Sequence, residues 1–250
     1  MSTQLADRRV AFETPDIETS SAEYASRFTG PAGSYMLDIQ ERGIIELLLD
    51  GRSLTHRRIL DVGGGHAQLA NPLAGFGCSV SVVGSDISCA KRVREARYGD
   101  EIPFTATNLL HLPFDDRAFD TALSVRLISH ISDWRRLVAE LCRVADRSII
   151  IDYPTFRSLN AFSLLTFPLK RAIEGNTRTY TTYRTKTLLR AFAEHGFRPA
   201  MFHRQFVMPM GLHRAFGKSG ALRKMEECLR MTGVTRFIGN PVLLRLDRAS

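Results

Sequence analysis

Cysteine is scarce in this 250-residue chain, and its four copies (Cys78, Cys89, Cys142 and Cys228) lie far apart. Without a Cys-x-x-Cys pair or paired-histidine spacing, neither a disulfide framework nor a zinc site is expected, and the thiols suit a reducing cytosol. Long apolar runs are also missing: no stretch reaches the roughly 18 residues that a spanning helix needs. The opening MSTQLADRRVAFETPDIETS is polar, lacks the apolar centre of a signal peptide and is expected to be disordered. Internal repeats and low-complexity tracts are absent. What remains is 44% hydrophobic and 24% charged, an ordinary composition for a globular domain with a sizeable core.

Acidic residues are thin in the last part of the chain. Residues 153–250 hold 17 Lys/Arg against 5 Asp/Glu, whereas residues 1–152 hold 17 against 21. The net charge of +8 is therefore concentrated at one end. Such asymmetry points to an anionic partner: a phosphorylated or carboxylated substrate, an anionic membrane surface, or nucleic acid.

From Ile59 onward, short β-branched runs alternate with amphipathic stretches, the pattern of βαβ units and a parallel sheet. Strands are expected near Arg58–Val62, Ser79–Ser85, Phe104–Asn108, Thr121–Val125 and Ser148–Asp152. Helices fit His66–Gly75, Ser88–Arg97 and Ser132–Ala145, the last with Ser132 as N-cap. A helix precedes the sheet and ends at Gly51, and TKTLLRAFAEHGF is another, stopped by Gly196. PAMFHRQFVM and VLLRLD read as two further strands, with a helix at Gly220–Met231 between them.

The stretch RRILDVGGGHAQLA runs a strand into three glycines, a turn where backbone amides can approach a ligand closely. The dinucleotide fingerprint G-x-G-x-x-G would need glycine at 68, and Gln68 stands there. The spacing present is Asp61-x-Gly63-x-Gly65-x-Ala67. A second strand, VSVVGSDIS, ends at Asp86, placed to take both hydroxyls of a ribose lying across the sheet's carboxyl edge. The competing reading of Asp86 is a plain helix N-cap.

With TNLLHLPFDDRAFD and VRLISHISDWRRLVAELCRV following in order, the chain resembles the class I S-adenosylmethionine (SAM)-dependent methyltransferases. Within them it is most similar to the small-molecule branch that includes the ubiquinone and menaquinone-biosynthesis enzymes. The resemblance runs from about Arg57 to Asp152 and is weaker at Tyr24–Leu49 and Thr185–Phe197. It implies a doubly wound, Rossmann-like α/β fold: a seven-stranded, mostly parallel sheet in the order 3-2-1-4-5-7-6 with an N-terminal helical cap. Residues 1–52 would form that N-terminal segment and cap. Residues 53–250 would be the SAM-binding domain, with acceptor-pocket insertions at about 154–185 and 209–240.

The resemblance also implies roles. Gly63 and Gly65 would let the backbone pass under the methionine end of SAM, with Asp61 organising its ammonium. Asp86 would hold the ribose, Ile87 and Leu109 would sandwich the adenine, and Asn108 would read its amino edge. Arg126 would meet the methionyl carboxylate or else point at the acceptor. Tyr24 and Phe28 share one face of the cap helix and would close over SAM or simply staple that helix to the core. His130 and Tyr153 are the candidate catalytic groups on the acceptor side. Two departures stand out: Asn108 replaces the usual Asp, and VADRS replaces the usual Lys-Pro-Gly-Gly turn.

The expected reaction is SAM-dependent methyl transfer to a small, partly apolar, anionic acceptor such as a lipid or quinone-like metabolite, without metal. Phe162, Leu164, Leu165, Phe167 and Leu169 precede Lys170 and Arg171, with Arg178 and Arg184 beyond, an apolar wall with a basic rim. That arrangement suits an amphiphile, or peripheral contact with an anionic membrane, and places the protein in the cytoplasm or at the inner membrane surface. RNA methylation, a non-catalytic SAM-binding role and a NAD(P)-binding protein are the alternatives. Nucleic acid is disfavoured because no Asn/Asp-Pro-Pro-aromatic turn follows the fourth strand.

Overall fold

A computed structural model describes residues 12–49, 51, 53–155, 181–208, 212–213 and 220–249. Seven strands form one sheet in the order β3-β2-β1-β4-β5-β7-β6. They are β1 (Arg58–Val62), β2 (Ser79–Gly84), β3 (Phe104–Ala106), β4 (Phe119–Ser124), β5 (Ala145–Tyr153), β6 (Phe197–Phe206) and β7 (Asn240–Arg248). The first five run parallel, and β7 is antiparallel to both of its neighbours. The carboxyl ends of β1, β2, β4, β5 and β6 therefore share one edge.

Both faces of the sheet are covered, so its central strands read as continuous apolar runs rather than alternating ones. Leu60, Val62, Ile149 and Ile151 pack with Leu137, Val138 and Leu141 of α6 (Trp134–Val144) and with Leu188 and Phe192 of α7 (Thr185–Glu194). Ile59, Val82, Leu123 and Ile150 pack on the other face with Leu73 of α4 (Ala70–Gly75) and Val93 of α5 (Lys91–Arg94). The same layer receives Ile44, Leu47 and Leu48 of α3 (Gly30–Leu49). Within α3 the buried positions Met36, Gln40, Ile44, Leu47 and Leu48 follow the 3.6-residue period of one helical face. Two short helices, α1 (Asp16–Thr19) and α2 (Ala22–Ser26), precede it, and α8 (Ala221–Met231) and α9 (Thr235–Ile238) precede β7.

Several local expectations need correction. The helix after the glycine turn begins at Ala70, not His66, because Ala67 adopts φ +61 and breaks the right-handed spiral. The Ser88–Arg97 helix is a 3-10 turn (Ile87–Ala90) followed by the single α-turn of α5. The third strand stops at Ala106 rather than Asn108. Asp133, not Ser132, caps α6, its carboxylate accepting from Arg136 N at 3.2 Å. The apolar wall at 162–169 and the cations Lys170, Arg171 and Arg178 lie outside the described residues, as do most of the first expected insertion and residues 209–211 and 214–219 of the second.

Candidate active site

β1 delivers Asp61 to the sheet edge almost fully buried, and the chain then turns through Gly63, Gly64 and Gly65. Gly63 has φ +75, which favours glycine. Gly64 lies so close to the preceding carboxylate that a methyl on its Cα would overlap Asp61 Oδ2. The glycines thus let the backbone fold back over a buried acid. Burial pushes that acid up to about 7, against the lowering effect of the nearby Arg126 charge.

Arg126 follows β4 and is a non-glycine residue at φ +59, a conformation that costs on the order of 1–2 kcal/mol. Its backbone N–H donates to Asp152 Oδ1 at 2.6 Å, at the end of β5. The guanidinium carbon lies 5.2 Å from the Phe28 ring centre and 6.0 Å from that of Tyr24. Asp152 is itself buried and pushed up to about 6, although the Arg126 N–H and charge pull the other way. Gln40 of α3 reaches its second oxygen at 3.4 Å.

The N-terminal segment crosses this edge as a strap. Glu13 accepts from Ser132 N at 2.7 Å and Asp133 N at 2.9 Å. Asp16 Oδ2 accepts from Ser85 N at 2.7 Å, just beyond β2. Ser20 packs on Gly65, and Tyr24 and Phe28 set their rings 6.1 Å and 5.8 Å from His66. Burial first, then the charges of Arg126 and Arg92, bring His66 down to about 3, so it is neutral at ordinary pH.

Unpaired polar atoms collect here. Among the described residues, twelve buried side-chain N or O atoms lack a hydrogen-bond partner, and seven of them surround this edge. They are Asp16 Oδ1, Ser20 Oγ, both nitrogens of His66, Gln68 Oε1, Ser85 Oγ and Arg126 Nη1. Leaving a buried donor or acceptor unsatisfied costs about 1–3 kcal/mol, and native structures rarely cluster such costs without ordered water or a polar ligand to meet them. A carboxylate, a guanidinium, an amide and neutral imidazole nitrogens converge on a small cleft. That donor set matches an ammonium and a carboxylate carried by one molecule.

The expected site residues fall into three groups. Asp61, Gly63 and Arg126 line the cleft, and Tyr24 overlies Arg126 and His66. Along the β2 side, the Ser88 hydroxyl and then Ser88 N, which donates to Asp86 Oδ1 at 2.8 Å, hold the exposed Asp86 carboxyl below its usual range. Its N-cap role is therefore present. Ile87 beside it is 55% exposed, and Asn108 Oδ1 accepts from Leu110 N at 3.0 Å. Leu109 and Tyr153 form the third group, both fully buried in the core layer of α6 and α7. Tyr153 hydrogen-bonds Thr185 Oγ1 at 2.9 Å, and burial pushes its phenol up. It is a core residue here, not a group facing the cleft. His130 ends a 3-10 turn after β4, half-buried, with its backbone N–H on Leu127 O.

Sequence reasoning missed His66, Gln68, Asp16, Ser20 and Asp152. The first pair was read as part of a helix and the strap as a disordered tail. A polar residue ending an apolar strand, as Asp152 does after three isoleucines, was a readable signal.

Residues 60–148 match the family model of the methyltransferase domain. Demethylmenaquinone methyltransferase of Thermus thermophilus is 33% identical over 106 residues, covering 39% of this chain and 48% of that protein. Norajmaline N-methyltransferase of Rauvolfia serpentina is 27% identical over 103 residues, covering 39% and 35%. The chain thus matches about half or less of the length of these curated relatives. The solved structure of magnesium protoporphyrin IX methyltransferase from Synechocystis PCC 6803 superposes with a TM-score of 0.63 at 15% identity, covering 93% of this chain and 97% of that one. Residues 60–148 thus match a methyltransferase domain, and the chain shares its fold with that solved methyltransferase structure.

Proposed function

We propose that the protein transfers a methyl group from SAM to a small, partly apolar and anionic acceptor. The observation that carries the reading is the polar cleft between the ends of β1 and β4, where Asp61 and Arg126 meet beside the glycine turn. The residues fit the cofactor: Asp61 would take the ammonium, Arg126 Nη1 the carboxylate, Asp86 the ribose, and Ile87 with Asn108 the adenine. When bound, SAM supplies a methyl group on a sulfonium.

The chain's part is alignment and exclusion of water. Charge is lost from sulfur as the methyl moves, so a dry, correctly oriented site supplies much of the acceleration. Tyr24 and Phe28 roof the cleft, and Asp152 fixes the arginine that would anchor the tail. His130, beyond β4 at the same edge, is the group we assign to meet a proton on the acceptor. The basic balance of residues 153–250 supports an anionic acceptor and peripheral contact with an anionic membrane. The names of the relatives, one a quinone and one an alkaloid enzyme, support a small molecule.

Calorimetry with SAM and with NADH, followed by transfer of labelled methyl from SAM to a cell extract, tests the reading. Saturable SAM binding and label in a small acidic product are expected. Binding of NADH in place of SAM, or label confined to RNA, would overturn it.

A further inference from the structure

Helix α8 turns an unusual side to solvent. Its inward side carries Glu226, fully buried, with half-buried Leu222, Leu229 and Arg230. Ala221, Lys224, Met225, Cys228 and Met231 are exposed. At 3.6 residues per turn these five fall within about 120° of one another, so the outer stripe is mostly apolar. The next helix, α9, adds Phe237, 75% exposed, beside the exposed Arg236. Met231 reaches 88% exposure.

The buried glutamate explains how this face is held. Glu226 accepts from Val207 N at 3.1 Å, Met208 N at 2.7 Å and His213 Nε2 at 3.2 Å. Arg230 donates to Gln205 O and Arg204 to Gly239 O, which fastens both helices to the end of β6. The face is thereby presented on a fixed support, and an acid is withdrawn from its surface. Of the charges left on α8 and α9, Arg223, Lys224 and Arg236 are exposed cations, and the single exposed acid, Glu227, is held by Arg223 at 3.0 Å.

Two features choose the occupant. Residues 197–250 contain ten Lys/Arg and three Asp/Glu, so the surroundings attract a negative surface. And the apolar groups are long side chains standing out singly between cations, which suits entry among lipid headgroups better than a complementary protein groove. We propose that the α8–α9 face docks on an anionic lipid bilayer. Met231 and Phe237 enter the boundary between headgroups and acyl chains, and Lys224 and Arg236 meet headgroup phosphates. The inference rests on the membrane-contact part of the proposed function and on none of its chemistry.

Vesicle flotation of the full chain tests it, using equal parts phosphatidylglycerol and phosphatidylcholine, with pure phosphatidylcholine beside it and no SAM present. Binding to the anionic vesicles alone, weakening with salt, is expected. The double variant Met231→Ser/Phe237→Ser should bind about tenfold more weakly, and Lys224→Glu/Arg236→Glu should release the protein at low salt. Circular dichroism confirms that both variants fold. Absence of wild-type binding at low salt, or binding unchanged in both variants, overturns the proposal. So does a wild-type dimer that the serine variant converts to monomer, which would assign the face to a second copy. Methyl transfer to a water-soluble acceptor is scored separately, so loss of one result leaves the other readable.

Discussion

The backbone N–H of Arg126 and Oδ1 of Asp152 lie 2.6 Å apart, and that bond fastens the loop after β4 to the end of β5. Because Arg126 sits at φ +59, the bond offsets a conformation that arginine does not favour. The gain is direction: the guanidinium is turned back beneath Phe28 and Tyr24 and over the buried cleft. Removing the acceptor should therefore reach the ligand through the arginine. Asp152→Ala is expected to cost about 1–3 kcal/mol of stability and to weaken SAM binding about tenfold or more. Asp152→Asn keeps an acceptor oxygen and should recover most of both, read by urea unfolding and calorimetry.

Asp61 makes a prediction about pH. Burial raises it from 3.8 to about 7, so between those values the folded chain keeps a proton that the unfolded chain releases. Stability then falls as pH climbs through this window, and the deficit persists above about 7. Asp61→Asn should flatten the slope and stabilise the protein at about pH 8 by up to roughly 4 kcal/mol, as an upper bound. The same substitution should abolish any rise in SAM affinity between about pH 5 and about pH 8. Unfolding and calorimetry at the two pH values check both halves. A wild-type affinity that does not change across the window would dissociate Asp61 from the ammonium.

Gly64 offers a steric test of the turn. A methyl there would overlap Asp61 Oδ2, so either the carboxylate or the loop must move. Gly64→Ala is expected to lower the melting temperature, by an amount corresponding to about 1–3 kcal/mol, and to reduce SAM binding sharply. If the acid is the group displaced, Gly64→Ala should cost less in an Asp61→Ala background, which removes the overlapped carboxylate, than in the wild type. Such non-additivity is the mark of two groups in direct contact.

The strands and the carboxyl edge were legible because they depend on local patterns: β-branched runs, a glycine turn, and acids at strand ends. Asp61 and Gly63 were singled out that way and Arg126 through the resemblance, and all three line one cleft. The remainder of the cleft depends on contacts far apart in sequence. Asp16 meets Ser85 across 69 residues, and Glu13 meets Ser132 across 119. The polar strap carries no apolar periodicity, so composition alone reads it as disorder. Leu109 misled for the opposite reason. Its place after Asn108 suggested an adenine contact, while the layer of α6 takes it into the core.

Glu226 supplies the last prediction, and the sharpest for stability. Its carboxylate is fully buried and is met by two backbone N–H groups and His213, which together replace the water it gives up. Glu226→Leu would leave the N–H groups of Val207 and Met208 and the ring of His213 without that acceptor, so a loss of about 3–5 kcal/mol is expected. Glu226→Gln retains one acceptor oxygen and should lose less, and the milder result would show that acceptor geometry, more than charge, holds the segment. Urea unfolding of both variants gives the comparison. Because Arg230 and Arg204 also tie α8 and α9 to β6, the helices should stay attached in Glu226→Gln, and vesicle binding should survive. A Glu226→Leu variant as stable as the wild type would mean that these N–H groups find other partners, and the anchor would have to be sought in the two arginines.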